Sequence, residues 1–280
     1  MNKKLTLIAA SAAILVSAAA CSQKQDNENA SVASVNELDV EVALLDAAQS
    51  YEIIMNRDTM HLVMTANIQW PKMVGSHDMT PLQDSIMAFA FPEYHDISVK
   101  EAMIRYVGNT EATGIPSTGA SVTPTSEAFS ESEFSYNSTI TGRVLEFSDR
   151  MITYQITESA YLGGAHPNTT SRSITYDFAN STLLSPANVI KSESLADFTA
   201  IAKRNLAAQL NMTETELDQA LMVEKFALSN DLYIADGAIY IHYNPYEILP
   251  YSVGTVDVMV SPYEVRDMLT PKAENLLINQ

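Results

Sequence analysis

Alternating apolar and polar residues mark residues 151–184 as the stretch around which the chain is organised. Two runs in it place an apolar side chain at every second position: Ile152, Tyr154, Ile156, then Ile174, Tyr176 and Phe178. A period of two predicts half-buried antiparallel strands. Glycine and proline between the runs favour a turn. We therefore predict a β-hairpin with a loop at 161–170 that displays Tyr161, Gly163, Gly164, His166 and Asn168.

The same patterns predict an α+β fold in which helices pack on one face of an antiparallel sheet. Further strands are predicted at 51–56 and 59–70, the latter ended by Pro71, and at 134–141, 143–147, 226–235, 238–243 and 255–260. Capping residues and prolines at first helical positions predict helices at about 80–90 and 98–107, after Ser185, from Ser194 to Leu210, from Thr213 to Leu221, and at 262–269. The predicted N-caps include Thr80, Ser98, Ser194 and Thr213, and Leu195 is predicted on the buried face of its helix. Turns are predicted at Arg57-Asp58 and Asp236-Gly237.

Composition predicts five segments along the chain. Residues 1–20 are predicted to be a lipoprotein signal peptide and 21–36 a polar tether without a fold. Residues 37–108 form an N-terminal α+β region in this scheme, and 109–133 form a linker or long loop because they are rich in Thr, Ser, Gly and Pro. Residues 134–280 form a C-terminal α+β domain.

The N-terminus predicts export and lipidation. Lys3-Lys4 precede a short apolar run, and small residues lead to Cys21, the only cysteine. The run is shorter than the ~20 residues that span a bilayer, which favours cleavage before Cys21 and attachment by acyl chains. The predicted location is the cell envelope, at the outer membrane or cell surface in a Gram-negative organism. The alternative is a soluble secreted protein with one stray cysteine.

The charge balance narrows the class of partner. The formal net charge is −18, and removal of residues 1–20 takes away Lys3 and Lys4 and no acid, which leaves −20. Such a protein disfavours nucleic acid and anionic lipid as partners and favours cationic ones. The alternative is a solvated acidic exterior with no cationic partner.

Motifs for catalysis or cofactor binding are scarce, and no cofactor is predicted. The sequence lacks a nucleophile elbow, a His-Glu-x-x-His pair, a phosphate loop and paired cysteines. His166 and His242 are weak candidate metal ligands or acid–base residues, with Asp177 or Glu247 as a third group. The alternative for both histidines is a structural role. The sequence therefore favours binding over catalysis.

A second candidate contact segment lies at 244–251. Its prolines restrict the backbone, and its tyrosines are of the kind that interfaces favour. The candidate binding residues in it are Asn244, Tyr246, Glu247 and Tyr251. The alternative is that Tyr246 or Tyr251 belongs to the core.

Two blocks of sequence resemble a known bacterial domain of unknown function. The run from Ala160 to Thr169 resembles its Tyr-x-Gly-Gly-Ala-His segment, and 239–251 resembles its Asn-Pro-Tyr-Glu-Ile segment. Residues 262–269 resemble its closing helix. The domain ends RsiV-like anti-sigma ectodomains and accompanies some peptidoglycan deacetylases. The resemblance covers about residues 134–269.

The resemblance implies a binding module at the cell envelope, with lysozyme or peptidoglycan as partner. RsiV-like ectodomains bind lysozyme, a cationic protein that would suit this chain's charge. The chain departs from those receptors because no transmembrane helix or cytoplasmic anti-sigma region is recognisable in the sequence. The alternative function is an envelope hydrolase or metal-dependent enzyme that uses His166 and His242.

Overall fold

The computed structural model describes residues 13–15, 32–35, 38–115, 120–126 and 135–278. Its strands are β1 (Ala13–Leu15), β2 (Val32–Val35), β3 (Leu38–Met55), β4 (Asp58–Val74), β5 (Ala120–Thr125), β6 (Ser135–Phe147), β7 (Met151–Tyr161), β8 (Asn168–Asp177), β9 (Thr182–Leu183), β10 (Leu232–Ala235), β11 (Ala238–Tyr243) and β12 (Val256–Val260). Its α-helices are α1 (Thr80–Ala90), α2 (Val99–Gly108), α3 (Pro186–Val189), α4 (Leu195–Gln209), α5 (Glu214–Ala220) and α6 (Pro271–Leu277). The predicted α+β class is confirmed.

The described residues divide into two compact units. The N-terminal unit comprises residues 4–143 and 156–169, and the C-terminal unit comprises residues 1–3, 144–155 and 170–280, as far as these are described. Strands β6, β7 and β8 contribute residues to both units. The predicted domain boundaries claim that the segments fold independently, and this claim stays a prediction.

A long hairpin of β3 and β4 forms the N-terminal unit's framework. Its turn lies at Asn56-Arg57, both with positive φ, one residue before the predicted position. The prediction that Pro71 ends the second strand is wrong, because β4 runs on to Val74. Pro71 pairs with Val42 at the point where the register of the hairpin shifts. Such an irregularity is where a sheet tolerates a residue without an N–H donor.

The sheet of this unit is mixed rather than purely antiparallel. Strand β4 pairs with β6 in parallel, from His61 opposite Ser135 to Ile68 opposite Gly142. Parallel neighbours need a crossover connection, and the chain between these strands contains α1 and α2. The sequence predicted an antiparallel sheet because its strands were recognised as hairpins, so it did not predict this parallel pair.

Two segments predicted to lack structure contain strands. In the predicted linker, β5 pairs antiparallel with β3 from Ser50 opposite Thr125 to Met55 opposite Ala120. In the predicted tether, β2 pairs antiparallel with β3. Composition did not predict these strands, because pairing with the edge of a long strand needs backbone groups more than apolar side chains. Cys21 and most of the predicted signal peptide lie outside the described residues.

The two helices of the N-terminal unit match their predicted spans closely. Helix α1 begins differently from the prediction, because the Thr80 N–H donates to the Asp78 carboxylate at 2.9 Å and Thr80 is already helical. Helix α2 has the predicted cap, in which the Glu101 N–H donates to the Ser98 hydroxyl at 3.3 Å. Both helices bury apolar residues, among them Leu82, Ile86, Ala102 and Met103. No helix in the described part of the chain is long and apolar enough to cross a membrane.

The C-terminal unit contains a three-stranded antiparallel sheet with the order β10-β11-β12. The predicted Asp236-Gly237 turn is confirmed, with φ of 50° and 71°. This is the left-handed backbone that a two-residue hairpin needs. One face of the sheet belongs to the core with helix α4, and its buried residues include Ile239, Ile241, Tyr243, Val256, Val258, Val260, Phe198, Ala202 and Leu206.

The helical caps in this unit are partly as predicted. The Thr213–Glu216 capping box is confirmed, since the Glu216 N–H donates to the Thr213 hydroxyl and the Thr213 N–H donates to the Glu216 carboxylate. Ser194 does not cap α4 with its side chain because a turn of 3-10 helix, Ser192–Ser194, runs into that helix. Leu195, predicted on the buried face, is 43 % exposed.

The predicted last helix at 262–269 is wrong, and the helix forms at Pro271–Leu277 instead. Long-range backbone hydrogen bonds hold the preceding residues out of a helix: Lys191 N–H donates to the Met268 carbonyl, and Thr270 N–H donates to the Val189 carbonyl. The proline signal recurs at Thr270-Pro271, where the Ala273 N–H donates to the Thr270 hydroxyl at 3.3 Å. Two equivalent start signals were present, and pairing with 189–191 selected the second.

The organising hairpin of β7 and β8 is confirmed, but its polar face is not exposed. Thr153 and Thr175 are fully buried, and Ser171 and Ser173 are nearly so. Alternation correctly identified the apolar face, which includes Ile152, Tyr154, Ile174 and Tyr176. The polar face is covered as well, and it carries the site described next.

Candidate functional site

A chain of three polar side chains crosses the C-terminal unit. His242, on β11, is fully buried, and its Nε2 lies 2.9 Å from the Ser171 hydroxyl on β8. Its Nδ1 lies 2.7 Å from Oδ1 of Asp257, which pairs with His242 across β11 and β12. Both ring nitrogens are therefore satisfied, one by each neighbour.

Asn244 attaches its own side chain to the backbone of Ser171. The Ser171 N–H donates to the Asn244 side-chain oxygen at 2.6 Å, and the Asn244 side-chain nitrogen donates to the Ser171 carbonyl at 2.9 Å. This is the pair of bonds that a neighbouring strand would supply. Two residues on, the Ser173 N–H donates to both carboxylate oxygens of Asp231 at 3.2 Å. Side chains thus take the place of a strand along this part of β8.

Threonines from the hairpin satisfy the backbone of β10 in the same manner. The Thr153 hydroxyl donates to the Ile234 carbonyl at 2.6 Å, and the Ile234 N–H donates to the Thr175 hydroxyl at 2.8 Å. The two hydroxyls lie 2.8 Å from each other. Because buried backbone groups need partners, these threonines are what allows β10 to lie inside the unit.

The surroundings of His242 and Asp231 raise the pKa values of both side chains. Burial alone lowers the pKa of His242, but the hydrogen bond and charge of Asp257, with the charge of Asp231, outweigh it and raise that pKa above its ordinary value. Burial raises the pKa of Asp231 to about 6, against the opposing effects of His242, the Ser173 N–H and Arg172. Burial and Asp257 also raise the pKa of Tyr233. Asp231 and His242 therefore both bind protons more tightly than they would in water.

The order Ser171, His242, Asp257 has the connectivity of a nucleophile activated by a base and an orienting acid. A nucleophilic serine must be accessible to its substrate, but here the serine is buried and the aspartate is the more exposed residue. Ser171 is only 6 % exposed, whereas the Asp257 side chain is 34 % exposed. The Ser171 N–H is also committed to Asn244. This geometry suits a structural network that binds protons better than an open nucleophile.

The predicted third groups for His242 are engaged elsewhere. Asp177 accepts hydrogen bonds from the backbone of Ala179 and Asn180 and from the Asn180 side chain, so it shapes the turn after β8. Glu247 accepts from the Asn244 N–H at 2.9 Å. Among the described residues, no group of three His, Cys, Asp or Glu side chains is arranged to hold a metal ion.

The segment from Asn244 to Tyr251, here called the tyrosine segment, presents two aromatic rings outside the core. Tyr246 is 52 % exposed and has φ of 68°, a conformation that bulky residues rarely adopt. The turn is held by hydrogen bonds from the Tyr246 N–H to the Leu249 carbonyl and from the Glu247 N–H to the Asn244 carbonyl. The rings of Tyr246 and Tyr251 lie 5.6 Å apart. Tyr246 is therefore not a core residue, and Tyr251 is partly buried.

More apolar surface adjoins the tyrosine segment. The Met222 N–H donates to the Ile248 carbonyl, and the Met222 side chain is more than half exposed. Val223 and Val253 are exposed as well. Surfaces of this composition, with aromatic residues and methionine, are typical of contact sites.

The loop at 161–170 falls in the N-terminal unit up to Thr169. Gly163 has φ of 91°, a backbone conformation that favours glycine, and a Cβ there would be in ordinary contact with the Tyr136 ring at 3.4 Å. The Tyr161 hydroxyl donates to the Gly164 carbonyl at 3.2 Å, and His166 Nδ1 lies 2.9 Å from the Pro167 carbonyl. Asn168 is exposed at the start of β8. His166 belongs to this unit and His242 to the other.

Sequence reasoning missed Ser171, Asp231 and Asp257. A serine next to an alternating strand carries no sign of burial, and a single acidic residue in a chain with 34 of them carries little information. A usable signal was His242 on a strand otherwise composed of apolar and aromatic residues, because a buried histidine needs partners.

Comparison with known proteins supports the resemblance to a domain of unknown function over part of the range given above. Residues 187–263 match the profile of a family described as "Protein of unknown function (DUF3298)". This range contains the tyrosine segment, His242, Asp231 and Asp257 but not the β7–β8 hairpin.

Two solved structures of that family have a similar fold. A member from Bacteroides fragilis superposes with a TM-score of 0.61 at 17% identity, covering 90% of this chain and 99% of its own. A protein from Pseudomonas aeruginosa superposes with a TM-score of 0.52 at 15% identity, covering 82% of this chain and 96% of its own. No curated protein matches the chain. At identities of 15–17%, this likeness shows a shared fold and nothing more.

Proposed function

We propose that this protein is a binding module of the bacterial cell envelope and that the tyrosine segment is its contact surface. The observation that carries the proposal is Tyr246, a half-exposed aromatic side chain on a left-handed backbone. Holding a non-glycine residue there costs on the order of 1–3 kcal/mol, which a surface turn could avoid with glycine. Such strain is typical of positions where a side chain is displayed for contact.

The partner that fits this surface best is a cationic protein, and lysozyme is the specific candidate. A formal net charge of −18 speeds association with a basic partner. A rigid tyrosine pair next to exposed methionine and valine supplies an apolar centre for the contact. Peptidoglycan is the other envelope candidate, because sugar rings also stack on tyrosine side chains.

Surface binding of lysozyme at low and at high salt tests the proposal. Tyr246→Ala is expected to cost about 2 kcal/mol, mainly through faster dissociation. Tyr263→Ala is the matched control, because Tyr263 is 71 % exposed in the same unit but lies outside the segment. Equal losses in both variants would show that the contact is not at the tyrosine segment. No binding of lysozyme or of peptidoglycan by the folded wild type would overturn the proposal.

We also propose that the protein is anchored through a lipid on Cys21. Support comes from the small residues before the only cysteine and the short apolar run preceding them. Cys21→Ser is expected to release the protein from the membrane fraction. Unchanged partitioning of that variant after signal cleavage would contradict lipidation.

A second candidate function is an envelope hydrolase. The one observation that favours it is the hydrogen-bonded connectivity from Ser171 through His242 to Asp257. A fluorophosphonate probe would label an active serine, and Ser171→Ala is the control. Labelling that disappears in this variant would favour the hydrolase. A metal-dependent form would show stoichiometric zinc in the purified protein that is lost in His166→Ala or His242→Ala.

A further inference from the structure

The polar network in the C-terminal unit gathers charged groups from four places in the chain. His242 comes from β11, Asp257 from β12, Asp231 from the residues before β10, and Arg172 from β8. Tyr233 on β10 lies close enough to Asp257 for that charge to act on its hydroxyl. The network joins β8 to the three-stranded sheet, because Asn244, Asp231 and His242 all bond to Ser171 or Ser173.

The charge of this network depends on bound protons. With His242 neutral, the Asp231 and Asp257 carboxylates repel each other without a buried cation between them, and the Arg172 side chain is exposed to solvent. With His242 and Asp231 protonated, a single His242–Asp257 ion pair is left, which is the cheaper arrangement in a poorly solvated place. Proton uptake therefore lowers the electrostatic cost of holding β8 against the three-stranded sheet of β10, β11 and β12.

The network is connected directly to the tyrosine segment. Asn244 holds Ser171 through its side chain, and its backbone N–H donates to Glu247 within the turn that carries Tyr246. His242 lies near the end of β11, and its Nε2 lies 2.9 Å from the hydroxyl of Ser171, the residue whose backbone the Asn244 side chain holds. A change at the imidazole is thus transmitted to the turn through Ser171 and Asn244.

We propose that His242, Asp231 and Asp257 form a proton-operated latch that fastens β8 to the sheet in mild acid and loosens it in mild alkali. The latch steadies the tyrosine segment, and this consequence for binding rests on the function proposed above. Its effect on the fold needs no ligand. The sign follows from the two titrations. Both groups bind protons more tightly in the folded protein, so their stabilisation is present at low pH and is lost as pH rises through the raised pKa values.

The ligand-free test is amide hydrogen exchange of Ser171 and Ser173 at pH 5.5 and pH 8, corrected for intrinsic rates. Protection in the wild type is expected to fall by at least about tenfold at the higher pH, as expected for roughly one pKa unit of linkage. In Asp231→Asn, which keeps an oxygen acceptor for the Ser173 N–H, this fall should be clearly smaller, because only His242 still titrates in the network. His95→Gln is the control, since His95 is exposed and bonded only locally to Pro92.

Two results would overturn the latch. One is an imidazole of His242 that titrates below the ordinary histidine range by NMR. The other is an equal loss of protection in the wild type and in Asp231→Asn. His242→Gln serves as a second variant if the aspartate change prevents folding.

Binding is tested separately with lysozyme at the same two pH values. Affinity that falls at pH 8 in the wild type but not in Asp231→Asn would connect the latch to the tyrosine segment. If lysozyme does not bind at either pH while the exchange result holds, the proposed partner fails and the latch stands. If binding is equal at both pH values, the latch does not act on the segment.

Discussion

The Ser171 hydroxyl lies 2.9 Å from Nε2 of His242, a residue 71 positions further along the chain. This contact joins an alternating hairpin strand to a strand inside the DUF3298 match. It also explains why a serine on the polar face of β8 is buried. Ser171 and His242 are therefore the two residues whose replacement most directly tests the network.

Ser171→Ala is expected to destabilise the C-terminal unit by about 1–3 kcal/mol, because it leaves Nε2 of a fully buried His242 without its partner. Urea unfolding followed by fluorescence measures the change. Ser159→Ala is a suitable control, since Ser159 bonds Thr169 at a half-buried position where water can replace the hydroxyl. Unfolding free energies that change equally in both variants would contradict a special role for the Ser171–His242 contact.

Tyr154→Phe is expected to leave stability unchanged or to raise it by about 1–2 kcal/mol. The Tyr154 hydroxyl is fully buried and has no hydrogen-bond partner in the described part of the chain. Removing an unsatisfied buried polar atom removes its desolvation cost while the ring keeps its packing. Thermal and urea unfolding report the outcome. The matched change Tyr243→Phe should destabilise, because the Tyr243 hydroxyl donates to the Ala227 carbonyl, and a clear loss in Tyr154→Phe would reveal a partner for this hydroxyl.

Tyr246→Gly is expected to maintain or increase stability by up to about 1 kcal/mol while it abolishes the aromatic contact. Glycine adopts φ of 68° without strain, whereas alanine retains it. Comparing Tyr246→Gly with Tyr246→Ala in thermal unfolding isolates the backbone contribution. A glycine variant less stable than the alanine variant would show that the left-handed turn is not strained, and it would remove the observation on which the binding proposal rests.

Limited proteolysis is expected to cut within 109–133 before it cuts within 151–178. Strands β7 and β8 are largely buried, so cleavage there requires the unit to open. Within the first range, residues 120–125 should be protected relative to their surroundings, because β5 pairs with β3. Mass spectrometry of early fragments identifies the sites. Early cuts within β7 or β8 would contradict the prediction that residues 134–269 are more compact than residues 109–133.

Local chemistry in the sequence was enough to predict many elements. The turn at Asp236-Gly237, the cap at Ser98 and the capping box at Thr213 were all predicted correctly, because each depends on residues within four positions of one another. The apolar faces of β7 and β8 followed from their period of two. The exposed tyrosine segment was also a candidate from its own residues.

Elements that depend on distant partners were decided by the tertiary structure. The sequence offered two proline-marked helix starts near the C-terminus, at Pro262 and Pro271, and backbone pairing with 189–191 left only the second to form a helix. Strands β2 and β5 form because the edge of β3 supplies hydrogen-bond partners to segments that have little apolar character of their own.

The sequence by itself determined the fold class, the organising hairpin and the acidic charge, since composition and periodicity act locally or additively. Only the tertiary structure decided that the polar face of that hairpin is buried and that Ser171, Asp231, His242 and Asp257 meet. The physical reason is that a polar side chain at an alternating position is equally compatible with water and with a buried partner. Which of the two it contacts depends on residues that lie 58 to 81 positions further along the chain.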